Sequence, residues 1–176
     1  MKRNTQLASR DFFGEIIESE AEAAFLDGID VHGAKSGYFL DHECDMGDGP
    51  FLQITINKSG DVFFLYPQWD GISPFRIDFY ISAVSGPSII HRFSYAVEID
   101  GHAWHERTHR QAADQRARDR RLARCGILTI RFAAIEVLDD STHAAAELFE
   151  SLLAFERGDQ HFLAELEAFR TGSGRS

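Results

Sequence analysis

The segment Tyr95-Ala96-Val97-Glu98-Ile99-Asp100-Gly101-His102-Ala103-Trp104-His105 constrains this chain more than any other, because an apolar strand there runs straight into carboxylates and imidazoles. Keeping such groups at the end of an apolar strand is costly for packing alone. Side chains alternate across a strand, so Glu98 and Asp100 share one face while Val97 and Ile99 share the other, toward a core. Two acids at that spacing stand about 7 Å apart, which suits a hard divalent cation. A second acidic strand precedes it, Phe75-Arg76-Ile77-Asp78-Phe79-Tyr80-Ile81. Its alternation predicts Ile77, Phe79 and Ile81 on one face and Arg76, Asp78 and Tyr80 on the other. Ser85-Gly86-Pro87-Ser88 between the two is a turn signal, which predicts an antiparallel pair with Asp78 beside Glu98. Carboxylates that close raise one another's pKa unless a cation neutralises them. The bland alternative pairs Asp78 with an arginine and leaves Glu98 and Asp100 solvated at a strand end.

His102, Trp104, His105 and His109 follow the strand. Imidazole serves both metal ligation and proton transfer near neutral pH, and His102 and His105 are the better placed. Zinc is a rival ion here, since His and carboxylate ligands hold it. A helix predicted from about Glu106 to Arg124 carries Arg107, Arg110, Arg116, Arg118, Arg120, Arg121 and Arg124 without a lysine. Guanidinium groups grip phosphate bidentately. Ala112, Ala113, Ala117, Leu122 and Ala123 give that helix a thin apolar stripe for close packing. A solvated face paired with Glu106, Asp114 and Asp119 is the other reading of so many charges.

The order of these pieces resembles the PD-(D/E)XK nuclease superfamily, and within it the small domains related to very-short-patch repair endonucleases. Their Glu-x-Asp-Gly strand end followed by His is matched by Glu98-Ile99-Asp100-Gly101-His102. Their Arg-Asp-x-x-Leu-x-x-x-Gly-x-x-x-x-Arg-Phe is matched by Arg118-Asp119-Arg120-Arg121-Leu122-Ala123-Arg124-Cys125-Gly126-Ile127-Leu128-Thr129-Ile130-Arg131-Phe132. Arg76-Ile77-Asp78-Phe79 also fits, and Ser19-Glu20-Ala21-Glu22-Ala23-Ala24-Phe25-Leu26 resembles the family's first helix, whose acid falls at Glu22. The likeness runs from about Ser19 to Leu138. It implies an α/β, restriction-endonuclease-like core: a central mixed sheet of four to five strands flanked by helices, with extra C-terminal helices. It further implies a Mg²⁺- or Mn²⁺-dependent endonuclease acting on DNA. In that frame Asp78 and Glu98 ligate the ion, with Asp100 near them and the Ile99 carbonyl adding an oxygen. His102 or His105 moves protons, Glu22 orients the outer shell of the metal, and Arg118, with Arg110, Arg121 and Arg131, holds the scissile strand. Gln68 resembles a polar position that approaches the site in this branch, although a surface loop residue beside Pro67 is an equal reading. One departure stands out: the superfamily's usual lysine, two residues after the glutamate, is Asp100 here. That lysine would stabilise developing negative charge. The branch also commonly lacks it, and the general base stays unassigned.

Lys+Arg 18 against Asp+Glu 28 gives a net charge of −10, whereas nonspecific nucleic-acid binders draw affinity from a basic surface. DNA affinity must therefore be local, from a metal and the arginine helix, or borrowed from a partner or second subunit. Two further functions stay open: a nuclease-like binding or assembly module that does not cut, and a zinc hydrolase using the His cluster. With 176 residues, 44% hydrophobic, the chain is expected to form one domain over 1–176, its core at about 15–138 and a helical extension at about 141–170. Met1 to Arg10 holds no apolar targeting core and no stretch suits a bilayer, so the expectation is a cytoplasmic protein with no membrane partner. Cys44 and Cys125 lack a metal-ligand repeat and are expected as free thiols.

Helical spacing predicts a helix from about Asp11 to Leu26, closed by Gly28. Asp41 to Pro50 reads as a solvated turn; Met46 and Leu52 occupy positions that rule out a calcium loop. Phe51 to Asn57 and Val62 to Tyr66 form a predicted hairpin around Lys58-Ser59-Gly60-Asp61. After the arginine helix Gly126 caps, and Ile127 to Phe132 is a strand reached by a crossover, hence a parallel pair. Two last helices are predicted, Ser141 to Glu156 and Asp159 to Phe169, before a disordered tail from Thr171 to Ser176. Leu148, Leu152, Leu153, Phe155, Phe162, Leu166 and Phe169 serve core packing there, or a homodimer or protein-partner surface.

Overall fold

A mixed sheet of six strands organises the molecule: β1 (Phe39–Asp45), β2 (Gly49–Ile56), β3 (Asp61–Ile72), β4 (Phe75–Ser85), β5 (Ile90–Asp100) and β6 (Ile127–Ala133), adjacent in that order. The computed structural model describes residues 8–45, 49–56, 60–85, 90–101 and 109–154, without the side chains of 44, 45, 85, 90–93 and 109–111. β1 to β5 form an antiparallel meander, and β6 returns parallel to β5 after the helix α3 (His109–Arg124). A parallel neighbour requires a crossover of that kind. Gly126, at φ 75°, makes the sharp turn out of α3.

Six strands replace the four to five expected. The difference includes β1, formed by a stretch whose composition reads as a turn; Glu43 stands opposite Phe51 and Asp41 opposite Gln53. Charged residues suit a sheet edge as well as a turn, because they deter pairing with another chain. The predicted β2–β3 hairpin forms with Ile56 opposite Asp61, and β4 pairs with β5 with Phe79 opposite Val97.

One sheet face makes the main core. Leu52, Ile54, Phe63, Leu65, Phe79, Ile81, Tyr95 and Val97 pack there against Phe25, Leu26 and Ile29 of α2 (Glu20–Ser36). Ala145, Leu148, Phe149 and Leu152 of α5 (residues 141–154) close it, with the short α4 (Ala134–Asp139) leading in from β6. The Phe25 ring lies 5.4 Å from both Phe79 and Phe132, so one aromatic side chain ties α2 to β4 and β6.

The single helix predicted over Asp11 to Leu26 is instead two, α1 (Ser9–Phe13) and α2. Ser19 restarts the helix: its Oγ accepts the Glu22 N–H at 3.1 Å. Gly28 does not end α2 but lies inside it, because a Cβ there would overlap the Ser141 backbone carbonyl of α5. The helix ends at Gly37, φ 72°. On the other sheet face α3 docks through Leu122 on Ile77, Ala96 and Ile127, with Trp69, Ile72 and Tyr80 at the margin. The predicted alanine stripe contributes less than expected, as Ala113, Ala117 and Ala123 are exposed. Cys125 is a free, exposed thiol. No helix among the described residues is long and apolar enough to cross a membrane. The predicted helix at Asp159 to Phe169, the tail, and the Lys58-Ser59 and Gly86-Pro87-Ser88 turns lie outside the described residues.

Candidate active site

The alternation of side chains breaks at one position in each of two neighbouring strands. In β3, Leu65 faces the core, and alternation would send Gln68 to the opposite side. Gln68 instead has φ 52°, and its Nε2 donates to Glu22 Oε2 of α2 at 2.7 Å. Trp69 then emerges on the α3 side, stacked on Tyr80. In β4, Phe79 and Ile81 belong to the main core while Ile77 packs with Leu122, so the common face expected for Ile77, Phe79 and Ile81 does not form. Pro67 pairs with Phe79 and Trp69 with Ile77, which sets Gln68 opposite Asp78. Phe79 pairs with Val97, which sets Asp78 opposite Glu98, and Glu98 pairs with Arg131. A line of polar side chains, Gln68, Asp78, Glu98 and Arg131, thus crosses four strands at the point where both kinks occur.

The β4–β5 ladder stops at Phe79 and Val97. Just past it, Asp78 Oδ2 accepts the Ile99 N–H at 2.8 Å, satisfying a donor with a side chain. Burial raises the Asp78 pKa; the Ile99 N–H opposes that rise and the Glu22 charge reinforces it. Glu98 is 5% exposed, and its Oε1 accepts from Arg118 Nη2 at 2.5 Å. Burial nevertheless outweighs Arg118 and, helped by Asp78, pushes Glu98 up to about 7. Glu22, also buried, is fixed by the start of α2: Oε2 accepts from the Glu18 N–H at 3.1 Å and Oε1 from Ser19 Oγ at 2.9 Å. The residues that begin the helix therefore also aim its carboxylate toward Gln68 and the Asp78 charge.

Asp100 turns to Arg131 at 3.4 Å, and Arg131 holds Asp119 of α3 at 2.6 Å. The acid–arginine pairing foreseen for Asp78 thus occurs at Glu98 and Asp100. Arg118 also reaches the Arg76 carbonyl, and its buried Nε has no partner. The Arg118 and Arg121 guanidinium carbons lie 5.6 and 5.5 Å from the Phe75 ring centre, and Arg121 is exposed. Arg116, Arg120 and Arg124 are exposed on successive turns of α3, without an ion pair among the described residues. His102, His105 and the Arg110 side chain lie outside the described residues.

Among the described residues no three of His, Cys, Asp and Glu converge as a closed metal cage. The candidate ligands along the line are nonetheless all oxygen: the Asp78 and Glu98 carboxylates and Gln68 Oε1, which is buried without a partner. Such a set suits Mg²⁺ or Mn²⁺, which bind through one or two carboxylates and complete their shells with water and substrate phosphate.

Another cluster, Ser9, Asp30 and His42, joins residues that no sequence motif links. The Ser9 hydroxyl donates to Asp30 Oδ1 at 2.5 Å, its N–H donates to Oδ2 at 2.7 Å, and His42 Nε2 lies 2.9 Å from Ser9 Oγ. With the hydroxyl hydrogen spent on Asp30, His42 is the donor, and burial holds its pKa low. A fully buried serine with that polarity is an anchor between α1, α2 and β1, not a nucleophile. Comparison of the chain with protein-family models, curated proteins and solved structures returned no match.

Proposed function

We propose that the acid line is the centre of a metal-dependent endonuclease that hydrolyses phosphodiester bonds in DNA. The observation that carries this reading is the pair Asp78 and Glu98, adjacent in register, Asp78 half-buried and Glu98 buried, each with its pKa raised by burial. Buried acids in that state carry a shared electrostatic cost that a divalent cation relieves. Asp78, Glu98 and the Ile99 carbonyl would hold Mg²⁺ or Mn²⁺, with Asp100 nearby. When bound, the ion lowers the pKa of a water molecule and offsets charge developing on phosphate.

The protein's own groups supply the remainder. Glu22 fixes Gln68, whose free Oε1 orients a water hydrogen. Arg118 keeps Glu98 in place at the edge of the arginine face that would meet the substrate. The exposed Arg116, Arg120, Arg121 and Arg124, together with Arg110, follow the substrate backbone, a local source of affinity in a chain of net charge −10. Arg131, committed to Asp100 and Asp119, positions the end of β5. His102 and His105, just past that end, take the proton from water or return it to the leaving oxygen. A homodimer or protein partner on the C-terminal helices would extend the basic surface.

The test is cleavage of supercoiled plasmid and of single-stranded DNA with Mg²⁺, Mn²⁺ or EDTA, using wild type, Asp78→Ala and Glu98→Gln purified identically. Metal-dependent nicking in wild type, reduced at least a hundredfold in both variants with folding retained, is the expected result. Equal activity in all three would sink the assignment. A second reading, a module of this architecture that binds without cutting, is favoured by the Glu98–Arg118 pair, which neutralises one acid without a metal, and by Asp100 in the superfamily's lysine position. Its signature is no cleavage with any metal and unaltered partner binding in Asp78→Ala. Stoichiometric zinc in protein purified without added metal would instead support a zinc hydrolase.

A further inference from the structure

We infer that Arg118 is an anion-released latch on the acid line: it holds Glu98 while the arginine face is empty and gives it up when a phosphate arrives, so that cation and polyanion bind cooperatively. The inference rests on the nuclease reading and adds the regulation of its site. Arg118 stands at the seam between the acids and the arginine face. On one side its Nη2 donates to Glu98 Oε1 at 2.5 Å and to the Arg76 carbonyl. On the other its guanidinium lies against the Phe75 ring, which the exposed Arg121 shares at 5.5 Å. The Glu98 side chain is 5% exposed and that of Arg118 20%, so the guanidinium separates a buried acid from the open face of α3.

A cation on Glu98 stands beside the guanidinium charge, and burial leaves little solvent to screen the repulsion. Arg118 is therefore a competitor of the cation as well as a support for the acid. Its grip is the weaker of the two arginine contacts to β5. Arg131 is held by carboxylates from two elements, Asp100 of β5 and Asp119 of α3. Arg118 has one carboxylate and one backbone carbonyl, and among the described residues its buried Nε has no partner. A donor left short in its present seat lowers the cost of turning outward. Phosphate supplies the reason to turn. Two guanidinium groups gathered on one ring repel each other, and a phosphate oxygen neutralises both through charge-assisted hydrogen bonds. Because the coupling is reciprocal, whatever factor the anion lends the cation, the cation returns to the anion.

The experiment measures Mn²⁺ binding to the full chain at pH 8 by water-proton relaxation, with sodium sulfate as the phosphate stand-in and NaCl of equal ionic strength as control, at matched free Mn²⁺. Wild type should bind Mn²⁺ about fivefold more tightly in sulfate than in chloride. Arg118→Met, which keeps an apolar stem against Phe75 and loses the charge, should bind about fivefold more tightly than wild type in chloride and gain nothing from sulfate. Circular dichroism checks folding; if Arg118→Met unfolds, Arg118→Gln decides, and if both unfold, the response of wild type to sulfate decides. An arginine that only positions Glu98 predicts the opposite sign, so equal or weaker Mn²⁺ binding in the folded variant overturns the latch, as does a wild type indifferent to sulfate. Mn²⁺ binding abolished in Asp78→Asn but unmoved in Arg118→Met removes the latch and keeps the metal site. No Mn²⁺ bound by wild type or by the Arg118 variant removes both. The expected Mn²⁺ behaviour in a chain that never cleaves DNA supports the latch and removes the nuclease.

Discussion

Glu98 is held by Arg118 and still titrates near neutrality, because the cost of removing a carboxylate from water exceeds what one partly solvated guanidinium returns. Its pKa lies near 7 in the folded chain against 4.5 ordinarily. Between those values the native state binds a proton that the unfolded chain has released. The contribution is thus fully present below about pH 4.5 and is lost as pH rises to about 7, on the order of 3 kcal/mol. Asp78 shifts in the same direction. Urea unfolding from pH 4.5 to 8 should therefore show wild type losing stability with pH relative to Glu98→Gln, and parallel curves would refute burial as the cause. Gln68 makes the opposite trade. Its left-handed backbone is unfavourable for a side chain, so Gln68→Gly should leave stability unchanged or raise it by up to about 1 kcal/mol while cutting cleavage at least tenfold. Strand alternation made Asp78, Glu98 and Asp100 legible as a group. Nothing in Pro67-Gln68-Trp69 announces a left-handed glutamine, because that conformation is imposed by Glu22 and by the matching kink at Asp78.

Among the elements, α2 carries the clearest conflict between local and tertiary preference. Glycine weakens a helix by about 1 kcal/mol relative to alanine, so Gly28 reads as a stop. In the fold the missing side chain lets α2 meet the Ser141 backbone at the start of α5. Gly28→Ala should therefore lower stability by about 1–3 kcal/mol despite the better helix former, and a raised melting temperature would contradict the close approach. β1 was illegible for a related reason. Its polar residues satisfy either a turn or an edge, and pairing with β2 settles which.

For the whole molecule, a net charge of −10 with several acids gathered at one end of β4 and β5 makes cations stabilisers. Mg²⁺ or Mn²⁺ at pH 8 should raise the melting temperature by several degrees, beyond NaCl of equal ionic strength, and the rise should shrink at pH 5, where Glu98 is protonated. Asp78→Asn should abolish the metal-specific part; an undiminished rise in that variant would place the ion elsewhere.

The local chemistry was settled by sequence alone: that the stretches from β2 to β6 are strands, where the hairpin and the crossover helix fall, and which acids accompany the arginine helix. Those properties act over a few neighbouring residues, through periodicity and turn chemistry. Only the tertiary structure decided that Gln68 and Asp78 face each other at paired kinks, that Arg118 and not a solvated strand end meets Glu98, and that α2 continues through Gly28. Each depends on contacts between residues distant in the chain, where the space left by one element sets the conformation of another.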